Sequence, residues 1–492
     1  MDMNQPSHPR ETRPAAIAAI FGFCLLIIFV RLFLRGSLLE IDEAEQIVLA
    51  QHFSWGYLNQ PPLYNWLQCA VFCLLGANVS SLIALKACLL FACLFYYYQI
   101  CKIHCHDSLI ASCAMLSWAF IPAIGLDLLK DNTHSVLALL MACITWYFIF
   151  KPRSLFSFRD YCVLGLIIGC GLLSKYNYLL FLFPLCLTLF SFQETRYRIK
   201  PFYLLLSFTI GLIIASPYLL WLKHYAAIGL HASYKLVPQH KSITQGLLQL
   251  IKGILLFILP VTLLSQIFFP NHFSFKPKRL ISRILNVYLV YAVSSLIILV
   301  LVCGIKDFET RWLIPILFII PLVFLSQVKE INFNPRRFYV YIGCCLFLQS
   351  FFLSALVYRA HFGNQRNMHF PFTELTDALS HTEIPFNYIL SDSFWLLGNL
   401  HAKTHTEFRF IDTLTPFNYP KGHLFLTWMG ADTPPWVSVL FPNQKVITHP
   451  VYSTATQKVI GGWAEYNGPL PFIAHHSATI KNSQASLALV QT

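Results

Sequence analysis

Residues 15–45 read AAIAAIFGFCLLIIFVRLFLRGSLLEIDEAE, so a membrane-length apolar run is followed within a few residues by four carboxylates. These are Glu40, Asp42, Glu43 and Glu45. Carboxylates beside a bilayer are costly unless something uses or neutralises them, so ionisable groups at membrane helices usually mark functional sites. The stretch therefore indicates a membrane protein that performs chemistry at the membrane surface.

The composition is that of a polytopic helical membrane protein. Of the 492 residues, 56% are hydrophobic and 12% are charged, and the mean hydropathy is +0.58. Apolar stretches near 20 residues recur, and this length spans the roughly 30 Å hydrocarbon core of a bilayer. The first stretch has no small-residue cleavage site, so we interpret it as an uncleaved span and not as a signal peptide.

Hydropathy predicts eleven membrane spans in a mainly α-helical bundle. They lie near residues 15–33, 81–100, 108–126, 133–150, 161–174, 177–193, 202–221, 246–269, 284–303, 312–327 and 338–357. The apolar segment Leu63–Leu75 is too short for a comfortable crossing. We predict that it is an interfacial or re-entrant helix of the first outer loop.

Basic residues predict the orientation, because Lys and Arg in short loops stay on the cytoplasmic side. Alternate loops contain them: Arg10 and Arg13; Lys102; Lys151, Arg153 and Arg159; Arg196, Arg198 and Lys200; Lys276, Lys278, Arg279 and Arg283; Lys329, Arg336 and Arg337. The acidic loop and the chain after about residue 359 then face outward. The net charge of +13 is explained by the cytoplasmic loops and by attraction to anionic lipid, so nucleic acid is not a predicted partner.

We predict two domains, a transmembrane domain over 1–358 and a small soluble α/β domain over 359–492. The second segment is richer in Pro, His, Asn and Thr, and it contains no further span. Phe372–Leu379 fits a helix, while Asn387–Leu390 and Phe408–Ile411 fit strands. All 15 cysteines lie between Cys24 and Cys345, which argues against a disulfide framework.

The first outer loop contains the strongest candidate site. On a helix, Asp42, Glu45 and Gln46 share one face at i, i+3 and i+4, whereas the adjacent Glu43 points about 100° away. One acid can then act while its neighbour supports it. The alternative is an acidic first turn favoured by the helix dipole, but that effect does not require three carboxylates in four positions.

The second outer loop includes Lys130-Asp131-Asn132 and opens a span. Asp131 or Asn132 can be the N-cap of that helix, since either side chain accepts hydrogen bonds from free backbone N–H groups. The predicted sidedness also places Asp131 at the same membrane face as Asp42. Two separated carboxylates there can hold a cation or divide the roles of base and positioning group.

Cations form a third group at the predicted outer face. They are Lys175, Lys223 and His224, and Lys306 and Arg311. A lone Lys at a helix end is usually an anchor that extends to the membrane surface. Several cations that meet paired acids instead suit a phosphate group, which Arg grips with two bonds. Tyr57 and Tyr176 fit an aromatic belt, although a sugar ring can also stack on such a side chain.

The order of these motifs resembles a known family of membrane enzymes. An Asp-Glu pair after the first helix, then Trp-Gly-Tyr-x-x-x-Pro-Pro-Leu-x-x-Trp-Leu, a second acidic motif and Gly-Leu-Leu-Ser-Lys-Tyr occur over about residues 15–330. This resembles the polytopic glycosyltransferases of the C superfamily. The nearest likeness is to the bacterial branch related to protein O-mannosyltransferases and to the lipid A aminoarabinose and galacturonic acid transferases.

The resemblance implies a polyprenyl-phosphate-linked sugar donor and an envelope acceptor, which is lipid A or lipopolysaccharide core, another glycan or a protein. It also implies a site at the periplasmic face of the bacterial inner membrane, with a cytoplasmic N-terminus. Asp42 matches the family's catalytic acid, Glu43 its partner and Asp131 its second acidic site. Arg311, in Thr-Arg-Trp-Leu-Ile-Pro, resembles the family's Arg-Tyr-x-x-Pro site, where a cation is expected near the lipid phosphate.

One position departs from the family. Relatives commonly carry Lys or His before the Pro-Pro pair, where this chain has Gln60, which cannot contribute a fixed charge. We therefore expect Lys130, Lys175 or Lys306 to contact the phosphate instead. Glu45, Gln60, Tyr57, Tyr176 and His224 complete the residues predicted to bind substrate.

The residues themselves fit transfer from a lipid phosphate. Such a phosphate is already a good leaving group, so the main needs are a base for the acceptor hydroxyl, here Asp42, and cations for the departing charge. A divalent cation near Asp42 and Asp131 is expected to be Mg²⁺ or Mn²⁺, because the ligands are hard oxygens.

The competing classes are a transporter or flippase and a non-catalytic scaffold. Transporters tend to place essential charges near the bilayer midplane and often show repeat symmetry. Here the charges gather at one predicted face and no repeat is visible, which favours the transferase.

Overall fold

The computed structural model describes residues 13–36, 38–57, 59–105, 107–152, 155–226, 230, 235–270, 277, 279–328, 335–362, 370–380, 388–404, 410–411, 422–440, 448–452 and 459–468. These residues form two compact units. The helical unit comprises those within Met1–Gly36, His52–Leu74 and Ser80–His361. The sheet unit comprises those within Ser37–Gln51, Leu75–Val79 and Phe362–Thr492.

Helices dominate the first 362 residues. In chain order they are α1 (Arg13–Phe29, extended by a π-helical turn over Val30–Leu34), α2 (Ile41–Leu49), α3 (Leu63–Leu75), α4 (Val79–His104), α5 (Ser108–Leu116), α6 (Leu128–Lys130), α7 (Thr133–Phe150), α8 (Phe158–Ser174), α9 (Asn177–Ser191), α10 (Gln193–Arg198), α11 (Pro201–His224), α12 (Ile243–Phe268), α13 (Leu280–Cys303), α14 (Ile314–Leu317), α15 (Ile320–Leu325) and α16 (Pro335–Phe362). Polar caps set some of the ends: Ser157 and Asp160 form a capping box at the start of α8.

Seven described helices are long and apolar enough to cross a membrane, or eight if the bent pair Ser108–Phe120 and Ala123–Lys130 is one span. These eight match predicted spans, which confirms a multi-pass helical membrane fold. The other three predicted spans correspond to α8 with 17 residues, to α9 with 15 residues, and to the divided helices α14 and α15. The count of eleven spans stays a prediction.

Burial explains why the predicted span at 312–327 is broken. Pro315 and Pro321 lie in the first turns of the short helices α14 and α15, where proline is tolerated. The apolar side chains from Leu313 to Leu325 are almost entirely buried. Irregular backbone at membrane depth is tolerated where protein surrounds it. High hydropathy in this segment therefore reflects the protein core and not contact with lipid. In helix α7, 89% of the residues are buried, and its side chains belong to the same hydrophobic core.

The sheet unit contains a small mixed sheet. Its elements are α17 (Phe372–Ser380), β1 (Tyr388–Leu390), α18 (Phe394–Thr404), β2 (Phe410–Ile411), β3 (Gly422–Met429), α19 (Pro435–Leu440), β4 (Thr448–Tyr452) and β5 (Val459–Gly468). The strand order is β2-β1-β3-β5-β4; β1 pairs in parallel with β2 and β3, and β5 pairs antiparallel with β3 and β4. The predicted α/β fold is confirmed, although Asn387, Phe408 and Arg409 lie outside the described residues.

Candidate active site

A cavity of about 360 Å³ lies in the helical unit, where two separate segments of the chain meet. It is lined by Asp127, Lys130, Asp131, Asn132, Glu309, Thr310 and Arg311. Three of the sequence-predicted site residues, Lys130, Asp131 and Arg311, thus occupy one cavity. Carboxylates and cations together can bind a phosphate, orient hydroxyl groups and move a proton.

The first lining segment is a sharp turn between two helices. The helix that ends at Phe120 and the one that begins at Ala123 differ in direction by 77°, and Pro122 lies at the break. The residue before a proline is pushed to extended backbone, as observed at Ile121 with φ −97° and ψ 104°. Asn132 then adopts a left-handed conformation at φ +67°, which Asn tolerates better than most residues.

Two buried cations hold the backbone of this turn. Arg35 donates from Nη1 to the carbonyl oxygens of Leu129 and Lys130 at 3.3 and 3.4 Å, and from Nη2 to that of Lys130 at 3.3 Å. Nζ of Lys86 donates to the carbonyl oxygen of Asp131 at 2.9 Å. Carbonyls at a helix end carry partial negative charge. The two cations therefore fix the turn and surround it with a positive field.

Arg311 connects the second lining segment to the turn. Its Nε forms an ion pair with Glu309, and its Nη1 donates to Oδ1 of Asn132 at 3.3 Å. Nδ2 of Asn132 donates to the carbonyl oxygen of Asp127 at 3.1 Å. The Asn132 side chain therefore does not cap α7, which was one expectation from the sequence. It ties the two cavity walls together.

The side chain of Lys175 extends from the end of α8 to the start of α7. It is 8% exposed, and its Nζ donates to Oγ of Ser135 at 2.8 Å. Lys175 has extended backbone at the end of α8, with φ −168° and ψ 147°. A buried ammonium at a helix N-terminus adds to the positive potential there, so Lys175 is more than a surface anchor.

The predicted acidic helix is formed as α2 in the sheet unit. Glu40 is its N-cap and forms a capping box with Glu43, which accepts a hydrogen bond from the Glu40 N–H at 3.1 Å. Glu43 is buried, so it has a structural task at the helix start, whereas Asp42 and Glu45 are half-buried. The predicted convergence of Asp42 with Asp131 stays a prediction, since these residues belong to different units.

Solved structures share this fold. ArnT from Cupriavidus metallidurans bound to undecaprenyl phosphate matches with a TM-score of 0.62 at 12% identity, covering 94% of this chain and 100% of that chain. The apo structure of the same protein matches with a TM-score of 0.60, again at 12% identity, covering 93% and 100%.

Sequence comparison adds activity to the shared fold. Residues 59–221 match the family described as dolichyl-phosphate-mannose-protein mannosyltransferase. Two lipopolysaccharide core galacturonosyltransferases of Rhizobium johnstonii also match. RgtB is 28% identical over 78% of this chain and 80% of its own length, and RgtA is 26% identical over 88% and 91%. The chain is a membrane glycosyltransferase, similar in sequence to these galacturonosyltransferases and in fold to ArnT.

Other residues predicted to bind substrate in this transferase have local structural contacts. The Tyr57 hydroxyl donates to the carbonyl oxygen of His52 at 2.8 Å and accepts from the Ser54 N–H at 2.9 Å, which closes a turn. The Tyr176 hydroxyl shares a hydrogen bond with that of Tyr218. Substrate contact by either tyrosine stays a prediction.

The last three predicted residues of the transferase differ in exposure. His224 is exposed at the end of α11, and Lys306 is half-buried in the loop before the cavity segment 309–311. Oε1 of Gln60 is buried without a hydrogen-bond partner among the described residues. A buried amide oxygen without a partner is costly, so a donor from a substrate would be favoured at Gln60.

Sequence reasoning missed Arg35, Lys86 and Asp127. Arg35 and Lys86 are charges next to or within apolar segments, and such a charge is itself a functional signal. Asp127 lies four residues before Asp131, at the end of a predicted span. Within the described ranges, no group of three or more His, Cys, Asp and Glu side chains is arranged to hold a metal ion.

Proposed function

We propose that this transferase moves a sugar from a polyprenyl-phosphate donor to lipopolysaccharide at the periplasmic face of the bacterial inner membrane. The observation that carries the proposal is the cavity in which Lys130 and Arg311 lie beside Asp131. The relatives act on lipopolysaccharide core, and a structure with the same fold binds undecaprenyl phosphate. Galacturonic acid is the first candidate for the sugar, because both relatives are galacturonosyltransferases.

In the proposed step, the acceptor hydroxyl oxygen bonds to the anomeric carbon of the donor sugar. The bond from that carbon to the phosphate oxygen breaks, and the phosphate leaves with the bonding electrons. The hydroxyl proton passes to the carboxylate of Asp42, which acts as general base. Arg311 and Lys130 stabilise the charge that develops on the phosphate, and this kind of electrostatic stabilisation is usually a large part of catalysis.

The test compares lipopolysaccharide from cells with and without the protein by mass spectrometry. We expect the deletion strain to lose one sugar, and the mass difference identifies it as a uronic acid, a hexose or an aminopentose. The purified protein should restore that mass when it is given donor and acceptor in detergent. Restored transport without any covalent transfer would instead favour the hypothesis of a transporter. A mass change found only in a protein would identify a protein, and not lipopolysaccharide, as the acceptor.

A divalent cation at Asp42 and Asp131 stays a prediction, and chelation tests it. We expect EDTA to lower the rate of transfer and Mg²⁺ or Mn²⁺ to restore it, because these ions prefer oxygen ligands. A matched sample treated with the Mg²⁺ complex of EDTA controls for effects of the chelator on the lipid. A rate that is unchanged by EDTA would assign charge stabilisation to protein cations alone.

A further inference from the structure

Side chains of helix α18 in the sheet unit form hydrogen bonds with the backbone just before the acidic helix α2. Oδ1 of Asn399 accepts the N–H of Leu39 at 2.7 Å, and Nδ2 of Asn399 donates to the carbonyl oxygen of Leu39 at 3.3 Å. Nε1 of Trp395 donates to the same carbonyl oxygen at 2.9 Å. Leu39, Trp395 and Asn399 are all buried. Both backbone groups of Leu39 are thus satisfied by side chains of one helix.

A second contact fixes the spacing of the two helices. A Cβ built on Gly398 would lie 2.5 Å from Cα and 2.6 Å from Cβ of Ala44. Only glycine permits this approach, since real Cβ atoms do not come so close to backbone. Ala44 is fully buried in the middle of α2. Helix α18 therefore sets both the start of α2, through Leu39, and its distance from the rest of the sheet unit.

Asn399 is itself held in place. Its Nδ2 also donates to the carbonyl oxygen of Trp395, one helical turn earlier, at 2.9 Å. The same helix reaches a further segment, because Nε2 of His401 is 3.1 Å from the carbonyl oxygen of Ala77. A buried side chain with every polar group bonded has one defined geometry, so α18 is a rigid reference for the chain around Asp42.

We propose that Asn399, Gly398 and Trp395 are positioning residues that orient α2 and thereby Asp42 for catalysis. The inference rests on the proposed function, in which Asp42 is the base. Asp42 lies three residues after Leu39, and the capping box of Glu40 and Glu43 carries the fixed geometry into the first turn of α2. Misplacing a reacting group by about 1 Å can cost roughly 10²-fold in rate.

The test measures kcat, the KM for donor and the thermal unfolding midpoint of full-length protein. Asn399→Leu removes the hydrogen bonds to Leu39 at similar volume, and Trp395→Phe removes one of them while keeping an aromatic ring. We expect Asn399→Leu to lower kcat about tenfold to a hundredfold, with donor KM within about twofold of wild type. Trp395→Phe should give a smaller loss, and it carries the test if Asn399→Leu does not fold.

The matched control is Thr427→Val. Thr427 is fully buried in β3, and its Oγ1 donates to the carbonyl oxygen of Gly462 at 3.3 Å, a hydrogen bond that does not involve α2. We expect this variant to lower the unfolding midpoint but to keep the wild-type kcat. Wild-type kcat in both Asn399→Leu and Trp395→Phe, or an equal loss of kcat in Thr427→Val, would overturn the inference. If the wild-type protein itself transfers no sugar, the proposed function fails instead.

Discussion

Asp42→Asn is expected to lower kcat for sugar transfer about 10²- to 10⁴-fold, the usual contribution of a general base. The substitution keeps the shape of the side chain and removes its ability to take the acceptor proton. Donor binding should change little, since the departing phosphate is stabilised by cations and not by this carboxylate. The measurement is transfer by purified protein in detergent at saturating donor and acceptor.

The control for Asp42→Asn is Glu374→Gln, which neutralises an exposed acid of the same unit at the start of α17. We expect this variant to transfer sugar at the wild-type rate. Equal unfolding midpoints for both variants would exclude a folding defect. A wild-type kcat in Asp42→Asn would refute its role as base and would direct attention to Glu45, which is also half-buried on α2.

Arg311→Gln is expected to lower kcat about 10²- to 10³-fold, because removing one preorganised donor to a developing negative charge typically has this effect. Arg311→Lys should recover only part of the rate, since a lysine keeps the charge but loses the two-bond geometry. Separate measurement of kcat and of KM for donor shows whether the guanidinium acts mainly on the departing phosphate or equally on the bound donor.

The ion pair with Glu309 complicates that result, and a double variant resolves it. Arg311→Gln leaves Glu309 without its partner at the cavity wall, and an unpaired charge is itself costly. If this charge caused the loss, Arg311→Gln with Glu309→Gln would regain the wild-type rate. We expect no recovery. Arg283→Gln, at an exposed cation near the start of α13, should retain full activity and serves as the matched control.

Hydropathy predicted the helices well, because an uninterrupted apolar run of about 20 residues rarely forms any structure other than a membrane helix. Leu63–Leu75 and the helix 133–150 have the bounds that were predicted. The segment predicted as a span at 312–327 forms two short helices instead of one long one. Burial inside protein and burial in lipid select the same apolar residues. Sequence alone does not distinguish the two, and only the packing around Leu313–Leu325 does.

The site was partly predictable for a similar reason. Asp131 and Arg311 stand out as charges at helix ends, and the structure places both at one cavity. The backbone contacts of Arg35 and Lys86 were not predictable, because they depend on a 77° bend that brings carbonyl groups within reach. The contacts of Asn399 were hidden too, since its partner Leu39 lies 360 positions away in the chain.

Because of this separation, Leu39 is synthesised well before its partner Asn399. At about 5–20 residues per second, translation from Leu39 to Asn399 takes on the order of 20–70 s. During this time the segment that carries Asp42 has emerged while the helix that fixes it has not yet been made. A chain terminated before Asn399 would have its carboxylates present and α2 unsupported. Competence for sugar transfer is therefore expected to arise only after α18 has been synthesised and has packed against the segment that precedes α2.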